Sequence, residues 1–124
     1  MSKFVLLVDD SKTVRVQVGS AIKDKGYSVL EASDGLEALA VLEKRSDIAM
    51  VISDVNMPHM DGLELLEAIQ KRADHAKLPV VILTTEARQH LVDRAKRAGA
   101  KGWMVKPFNP QVLLAAVQKL AGNP

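Results

Sequence analysis

Short apolar runs alternate with stretches of helical periodicity five times along this chain of 124 residues. The apolar runs cover residues 4–8, 27–30, 49–53, 78–83 and 101–105. Each run is nearly continuous, which is typical of strands buried on both faces of a parallel sheet. Five strand–helix pairs with right-handed crossovers predict an α/β fold: an open, doubly wound five-stranded parallel sheet with five helices on both faces. Five pairs are too few for an eightfold barrel.

Turn and cap signals mark where helices begin between these strands. Asp34 with Glu37 three residues later resembles a capping box, and Asp61 followed by glycine restarts a helical pattern. Asn109 precedes a proline, the combination expected at the start of a helix. The chain therefore predicts one domain, residues 1–124, without a linker or a repeat.

Polar residues stand at the carboxyl ends of four predicted strands. Asp9 and Asp10 follow the first strand, Asp54 the third, Thr84 ends the fourth, and Lys106 follows the fifth. In open parallel sheets, ligands bind beyond the carboxyl ends of the strands. Each residue alone has an ordinary explanation as a turn or cap, but their joint placement predicts one site at that edge.

Three carboxylates at one edge repel one another unless a cation lies among them, which predicts a divalent metal site. Mg²⁺ takes oxygen ligands and usually one or two protein carboxylates. Asp10 and Asp54 supply two carboxylates, Asp9 holds a coordinated water, and the backbone carbonyl of Asn56 adds an oxygen.

The remaining chemistry is that of a carboxylate nucleophile. Asp54, kept ionised between Mg²⁺ and the ammonium of Lys106 on the far side, can attack phosphorus and form an acyl phosphate. Mg²⁺, Lys106 and the hydroxyl of Thr84 stabilise the negative charge of the incoming phosphoryl group.

Bulk composition excludes several classes of function. The chain has no cysteine, no apolar run near the length of a membrane span, and an N-terminal apolar run too short for a signal peptide. Its net charge of +2 is too small to argue for nucleic acid. We therefore expect a cytoplasmic, monomeric protein that binds neither membrane nor nucleic acid. His59, His75 and His90 are scattered among polar residues, which favours solvated surface positions over a metal site.

The stretch Asp54-Val-Asn-Met-Pro-His-Met-Asp-Gly62 carries a resemblance to a known family. The chain resembles the receiver domain of two-component response regulators, most closely the single-domain chemotaxis (CheY-like) type, over essentially its whole length and with no output domain. This resemblance implies a flavodoxin-like sheet of order 2-1-3-4-5, Mg²⁺ as the cofactor, and a histidine kinase as the phosphodonor.

The same resemblance assigns roles at the strand ends. Asp54 matches the phosphoacceptor, Asp9 and Asp10 the metal-binding acids, and Asn56 the residue whose carbonyl binds the metal. Lys106 matches the lysine that family members usually join to the next proline by a cis bond.

A conformational switch is also implied. Thr84 matches the switch hydroxyl and Trp103 the rotating aromatic, although a partly buried indole that only anchors the fifth strand is the alternative. Phosphorylation would draw Thr84 inward and let Trp103 turn, which alters the surface of the fourth helix, fifth strand and fifth helix.

Neighbouring positions tune this scheme. Asn56 and Glu86 match the rapidly dephosphorylated chemotaxis type and can flank the hydrolytic water, which predicts a short-lived phosphoryl group. Thr85 stands where the family commonly has alanine or glycine, so access to Asp54 is expected to be narrower.

The fourth helix and the strand after it are unusually basic for this family. A solvated helix face is the default explanation, and the functional hypothesis is an acidic effector protein that docks there. The basic residues are Arg88, Arg94, Lys96, Arg97 and Lys101.

Three classes of function remain open. The leading one is a phosphorylation-driven switch that binds an effector, and it is not an enzyme beyond its own phosphorylation and dephosphorylation. The second is a phosphate sink or relay without an effector. The third is an aspartate-nucleophile phosphohydrolase, which typically needs an Asp-x-Asp motif that is missing here; a flavin module is weaker still, because no loop is rich enough in Ser, Thr and Gly to hold a phosphate.

Overall fold

The computed structural model describes residues 3–72, 74–75 and 77–124, and within them five strands alternate with five helices. The strands form one parallel sheet of order β2-β1-β3-β4-β5, which confirms the predicted fold class and strand order. The elements are β1 Phe4–Val8, α1 Lys12–Lys23, β2 Ser28–Ala32, α2 Gly35–Lys44, β3 Ile48–Ser53, α3 Gly62–Lys71, β4 Val80–Thr84, α4 Gln89–Arg97, β5 Gly102–Val105 and α5 Pro110–Ala121.

β1 has the predicted bounds, whereas the other four strands differ from their apolar runs by one or two residues, because pairing sets where a strand ends. β2 runs on to Ala32, since its register follows β1 as far as the pair Val8 and Ala32. β4 begins at Val80, which pairs with Val51 of β3, so the two residues before it belong to the preceding loop.

Alternation within the strands divides the core between the two faces of the sheet. Val5 and Leu7 of β1 pack with α1 and α5 on one face, whereas Leu6 and Val8 pack with α2, α3 and α4 on the other. All four side chains are at most 2% exposed. Burial on both faces explains why the strand reads as a continuous apolar run. No helix among the described residues is long and apolar enough to cross a membrane.

Acidic caps start two helices at the edge where the strands end. Asp61 and Glu64 form a complete capping box at α3. At α2, Asp34 accepts a hydrogen bond from the backbone N–H of Glu37 at 2.9 Å, but the Glu37 carboxylate accepts from Ser33 rather than from the cap residue. The sequence therefore predicted Asp34 as the cap of α2 correctly. The second hydrogen bond of the predicted capping box is made with Ser33 and not with the backbone of Asp34.

Gly62 lets α3 begin directly against the backbone of β3. A Cβ atom at this position would lie 1.9 Å from the carbonyl oxygen of Asp54, so any larger side chain would force the two segments apart. The N–H of Gly62 donates to the carbonyl of Val55 at 2.9 Å. The first turn of α3 therefore fixes the backbone on which the Asp54 carboxylate is carried.

Candidate functional site

The three predicted acids meet at the carboxyl edge of the sheet. One carboxylate oxygen from each of Asp9, Asp10 and Asp54 lies within 4.8 Å of the others. The sheet ladder continues past the strand ends, with Asp54 N donating to Val8 O at 2.9 Å and Asp9 N donating to Ala32 O at 3.1 Å. Asp9 and Asp54 are 5% and 8% exposed, whereas Asp10 is exposed to solvent. Backbone pairing thus brings together acids that are far apart in sequence.

Lys106 bridges the two buried acids directly. Its Nζ donates to Asp9 Oδ2 at 2.7 Å and to Asp54 Oδ2 at 2.9 Å. Burial disfavours the ammonium, but the hydrogen bonds to Asp9 and Asp54 outweigh this effect and raise the pKa of Lys106 above its ordinary value. The lysine therefore lies between the acids as a cation, and the bond that joins it to Pro107 is cis, as the resemblance implied.

The second oxygen of each buried acid is held by a backbone amide. Asp9 Oδ1 accepts from Ser11 N at 2.8 Å, and Asp54 Oδ1 accepts from Val55 N at 2.6 Å. Three carboxylates stand against one ammonium, so the site keeps an excess of negative charge. Clustered carboxylate oxygens, one of them open to solvent, suit a hard divalent cation that retains several waters, and the donor set therefore fits Mg²⁺.

The predicted switch residues are connected through the main chain of Glu86. Thr84 is fully buried, and its Oγ1 accepts from Glu86 N at 3.2 Å. Trp103 is partly buried, and its Nε1 donates to Glu86 O at 3.1 Å. A movement of the Thr84 hydroxyl would therefore disturb the backbone of Glu86, to which the indole of Trp103 is hydrogen-bonded.

The carboxylate of Glu86 is turned onto Arg88. The guanidinium forms a fork, with Nε to Oε1 at 2.8 Å and Nη2 to Oε2 at 3.0 Å. These bonds, followed by that from the backbone N–H of Arg88, lower the pKa of Glu86 to about 2. The glutamate is therefore ionised across the whole physiological range.

Asn56 and Thr85 follow two strands, β3 and β4, that end at the site. Asn56 is exposed on the loop between β3 and α3. Thr85 is also exposed, and it lines a groove of about 690 Å³ together with Lys106, Pro107 and residues of α1. This groove reaches Lys106 but is not lined by the three acids, and the effect of Thr85 on access to Asp54 stays a prediction.

Arg15 was not among the predicted site residues. Its Nη1 donates to the main-chain carbonyl of Asp9, and its Nε donates to Glu31 Oε1 at 2.8 Å. The side chain is only 14% exposed, so it links β2 to the turn that carries the acids. No signal in the sequence singles out Arg15, because Lys12 carries the same charge at the start of the same helix.

A second contact that was not predicted ties the loop after Asp54 to α2. His59, at a φ of 68°, places Nδ1 2.9 Å from Asp34 Oδ2. The hydrogen bond from the N–H of Glu37 and then that with His59 lower the pKa of Asp34.

The prediction that all three histidines are solvated was wrong for His75, which is 9% exposed.

The predicted basic surface is partly neutralised by acids of this chain. Arg88 pairs with Glu86, and Arg94 forms a fork with Glu67 at 2.7 and 3.0 Å. Arg97 and the other two basic residues, Lys96 and Lys101, are exposed, and no ion pair is seen for them among the described residues. Charge available to a partner is therefore concentrated at the end of α4 and just before β5.

Comparison with known proteins agrees with this geometry. Residues 5–118 match the model of a family described as the response regulator receiver domain. The chain is 38% identical to a chemotaxis protein CheY homolog of Campylobacter jejuni, with 96% of this chain and 92% of that protein covered. It is 37% identical to chemotaxis protein CheY1 of Helicobacter pylori, with 96% and 97% covered. The structure of the chemotaxis response regulator CheY4 of Vibrio cholerae superposes with a TM-score of 0.88 at 42% identity, covering 97% of this chain and 99% of that one.

Proposed function

This chain belongs to the response regulator receiver domain family of two-component signalling, whose general function is phosphorylation of an aspartate, and we propose that Asp54 is the phosphoacceptor here. The observation that supports this role is the bridge from Lys106 to Asp54 and Asp9, at 2.9 and 2.7 Å. A carboxylate is a nucleophile without the help of a separate base, and the ammonium of Lys106 stands beside its attacking oxygen.

Phosphoryl transfer joins an Asp54 oxygen to phosphorus while the bond from phosphorus to the donor breaks. Lys106 neutralises charge beside the attacking oxygen, and Asp9 orients that ammonium from its other side. Mg²⁺, which receiver domains typically use, would be held by Asp9, Asp10, Asp54 and the carbonyl of Asn56, and it would supply positive charge against the phosphoryl oxygens.

The donor expected for this family is a histidine kinase. In the test, the chain is incubated with acetyl phosphate as a small donor, with and without Mg²⁺, and the intact mass is measured. We expect one phosphoryl group on the wild type only when Mg²⁺ is present, and none on Asp54→Asn. Equal phosphorylation of Asp54→Asn would reject Asp54 as the acceptor.

The switch is proposed to run from Thr84 to Trp103 through the backbone of Glu86. If the Thr84 hydroxyl moves to donate to a phosphoryl oxygen, its Oγ1 moves away from the Glu86 N–H that donates to it. The loop at Glu86 then shifts, and the indole that donates to the Glu86 carbonyl shifts with it. This biases an existing equilibrium between two orientations of Trp103. Trp103 is the single tryptophan of the chain, so its fluorescence should respond to phosphorylation in the wild type and not in Thr84→Val.

The output surface is proposed to be the basic region formed by Lys96, Arg97 and Lys101. A hollow of about 120 Å³ lies beside Trp103 and is lined in part by Lys96 and Lys101. Exposed positive charge next to the switch aromatic favours an acidic effector protein. A phosphate sink or relay remains the second candidate, and capture of a specific effector by the beryllofluoride-activated protein separates the two.

A further inference from the structure

Glu86 has a fixed backbone and a side chain whose direction depends on one partner. Its N–H donates to Thr84 Oγ1 at 3.2 Å and its carbonyl accepts from Trp103 Nε1 at 3.1 Å. The hydrogen bonds to its carboxylate from described residues all come from Arg88, at 2.8, 3.0 and 3.2 Å. The main chain therefore keeps Glu86 beside the site, while Arg88 decides where the carboxylate points.

The ion pair of Glu86 and Arg88, which we call the clamp, can open and close. The Glu86 side chain is 15% exposed, whereas that of Arg88 is 66% exposed. A forked Arg–carboxylate pair is well oriented, but water competes strongly with an arginine that is so exposed. Exposed pairs of this kind favour the closed form by at most roughly fivefold, so an open form is always populated.

We propose that Arg88 is a positioning residue that sets the lifetime of the acyl phosphate by withholding the Glu86 carboxylate from the hydrolytic water. This inference rests on the proposed function of Asp54. Hydrolysis forms a bond between the water oxygen and phosphorus and breaks the bond between phosphorus and the Asp54 oxygen. Asp54 leaves as a carboxylate, inorganic phosphate is released, and the proton of the water passes to solvent.

The direction of the effect follows from what the clamp occupies. In the closed form Oε1 of Glu86 accepts two hydrogen bonds and Oε2 accepts one, all from Arg88, so the carboxylate is held against the guanidinium and is not free to turn toward a water near phosphorus. Opening the clamp frees an anionic acceptor that can orient this water. Arg88→Ala should therefore speed hydrolysis by about two- to fivefold, which is the factor by which an exposed pair favours its closed form.

The experiment measures decay of the phosphorylated full chain after rapid dilution out of acetyl phosphate in Mg²⁺, by acid quench and intact mass. The variants are Arg88→Ala, Arg88→Lys, Glu86→Gln and the double variant Arg88→Ala/Glu86→Gln. Asp47→Asn is the control, because it removes a similar fork to Arg45, at 2.7 and 2.9 Å, just before β3 at the opposite edge of the sheet.

We expect faster decay for Arg88→Ala, an intermediate rate for Arg88→Lys because lysine cannot form the fork, and the wild-type rate for Asp47→Asn. In the Glu86→Gln background, Arg88→Ala should leave the decay rate unchanged. A general structural role of Arg88 would instead change the rate in both backgrounds. Arg88→Ala that decays no faster than the wild type, or that accelerates decay equally in the Glu86→Gln background, overturns the clamp. Failure of the wild type to gain phosphate in the loading step instead rejects the proposed function of Asp54.

Discussion

Lys106→Met is expected to destabilise the metal-free protein and to make Mg²⁺ a stronger stabiliser. Methionine keeps much of the aliphatic stem while removing the ammonium, so the change isolates the two hydrogen bonds to Asp9 and Asp54. Both acids are then left at low exposure without their cation, beside the third acid of the cluster, Asp10.

The size of the loss follows from burial. Removing one partner of a buried ion pair costs about 3–5 kcal/mol, because the remaining charge is left uncompensated. Lys106 retains 15% side-chain exposure, so water reaches the pair and the lower end of that range, about 3 kcal/mol, applies. For a domain of this size, a loss of about 3 kcal/mol corresponds to a fall in Tm of roughly 10 °C.

Mg²⁺ should raise the free energy of unfolding of Lys106→Met by more than it raises that of the wild type. The ammonium shares Asp9 and Asp54 with the cation and offsets their charge, so its removal raises the affinity of the acids for Mg²⁺ and the stabilisation that binding brings. Urea unfolding at neutral pH, in EDTA and in excess Mg²⁺, measures both effects.

Lys101→Met is the matched control, because this exposed lysine lies just before β5, at the other end of the strand from Lys106. Its variant should stay within about 0.5 kcal/mol of the wild type in either buffer. A loss below about 1 kcal/mol for Lys106→Met in EDTA would refute the reasoning, since it would mean that the buried acids do not depend on the ammonium. An equal gain from Mg²⁺ in both proteins would refute the competition between lysine and metal.

The remaining predictions concern packing, pH and the partner surface. Gly62→Ala should lower the free energy of unfolding by about 3 kcal/mol because its new methyl would lie 1.9 Å from a backbone oxygen, whereas Gly19→Ala, whose nearest neighbour is at 3.7 Å, should be neutral or stabilising. Equal effects in urea titrations would contradict this contrast. The pKa of Asp34 is lowered by the backbone amide that it caps and then by a neighbouring imidazole, so its contribution is present above its ordinary pKa and is lost as pH falls through the lowered value. Asp34→Asn, which keeps a capping acceptor, should therefore lose less stability than the wild type between neutral pH and about pH 3; parallel pH profiles would count against it. Arg97→Glu with Lys101→Glu should weaken binding of the activated protein to an acidic effector while leaving phosphorylation unchanged, and unaltered binding of the true effector would exclude this surface.

The charge-reversal prediction uses Arg97 and Lys101 because only the tertiary structure distinguishes the basic residues of α4 from one another. In sequence, Arg94 and Arg97 are equivalent members of one basic helix. In the fold, Arg94 faces α3 and is engaged by Glu67, whereas Arg97 is exposed. Substitution of Arg94 would therefore disturb the packing of α3 against α4 as well as any partner contact.

The sequence by itself determined the alternating order of elements and the edge at which chemistry would be found. Strands buried on both faces must read as continuous apolar runs, and parallel strands place all their carboxyl ends together, so the sequence alone predicts Asp9, Asp54, Thr84 and Lys106 at one edge. Local caps such as Asp61 were equally accessible, because they depend on residues only three positions apart.

Tertiary structure alone decided which groups at that edge contact one another. The bridge of Lys106 to two acids, the link of Arg15 to Glu31, and the clamp of Arg88 on Glu86 all depend on side-chain directions. The requirement for glycine at position 62 likewise follows from the close approach of the α3 backbone to the backbone of Asp54, which periodicity does not reveal. Periodicity specifies the face or edge on which a residue lies, but pairing of charges is set by distances of a few ångströms, which only the packed chain fixes.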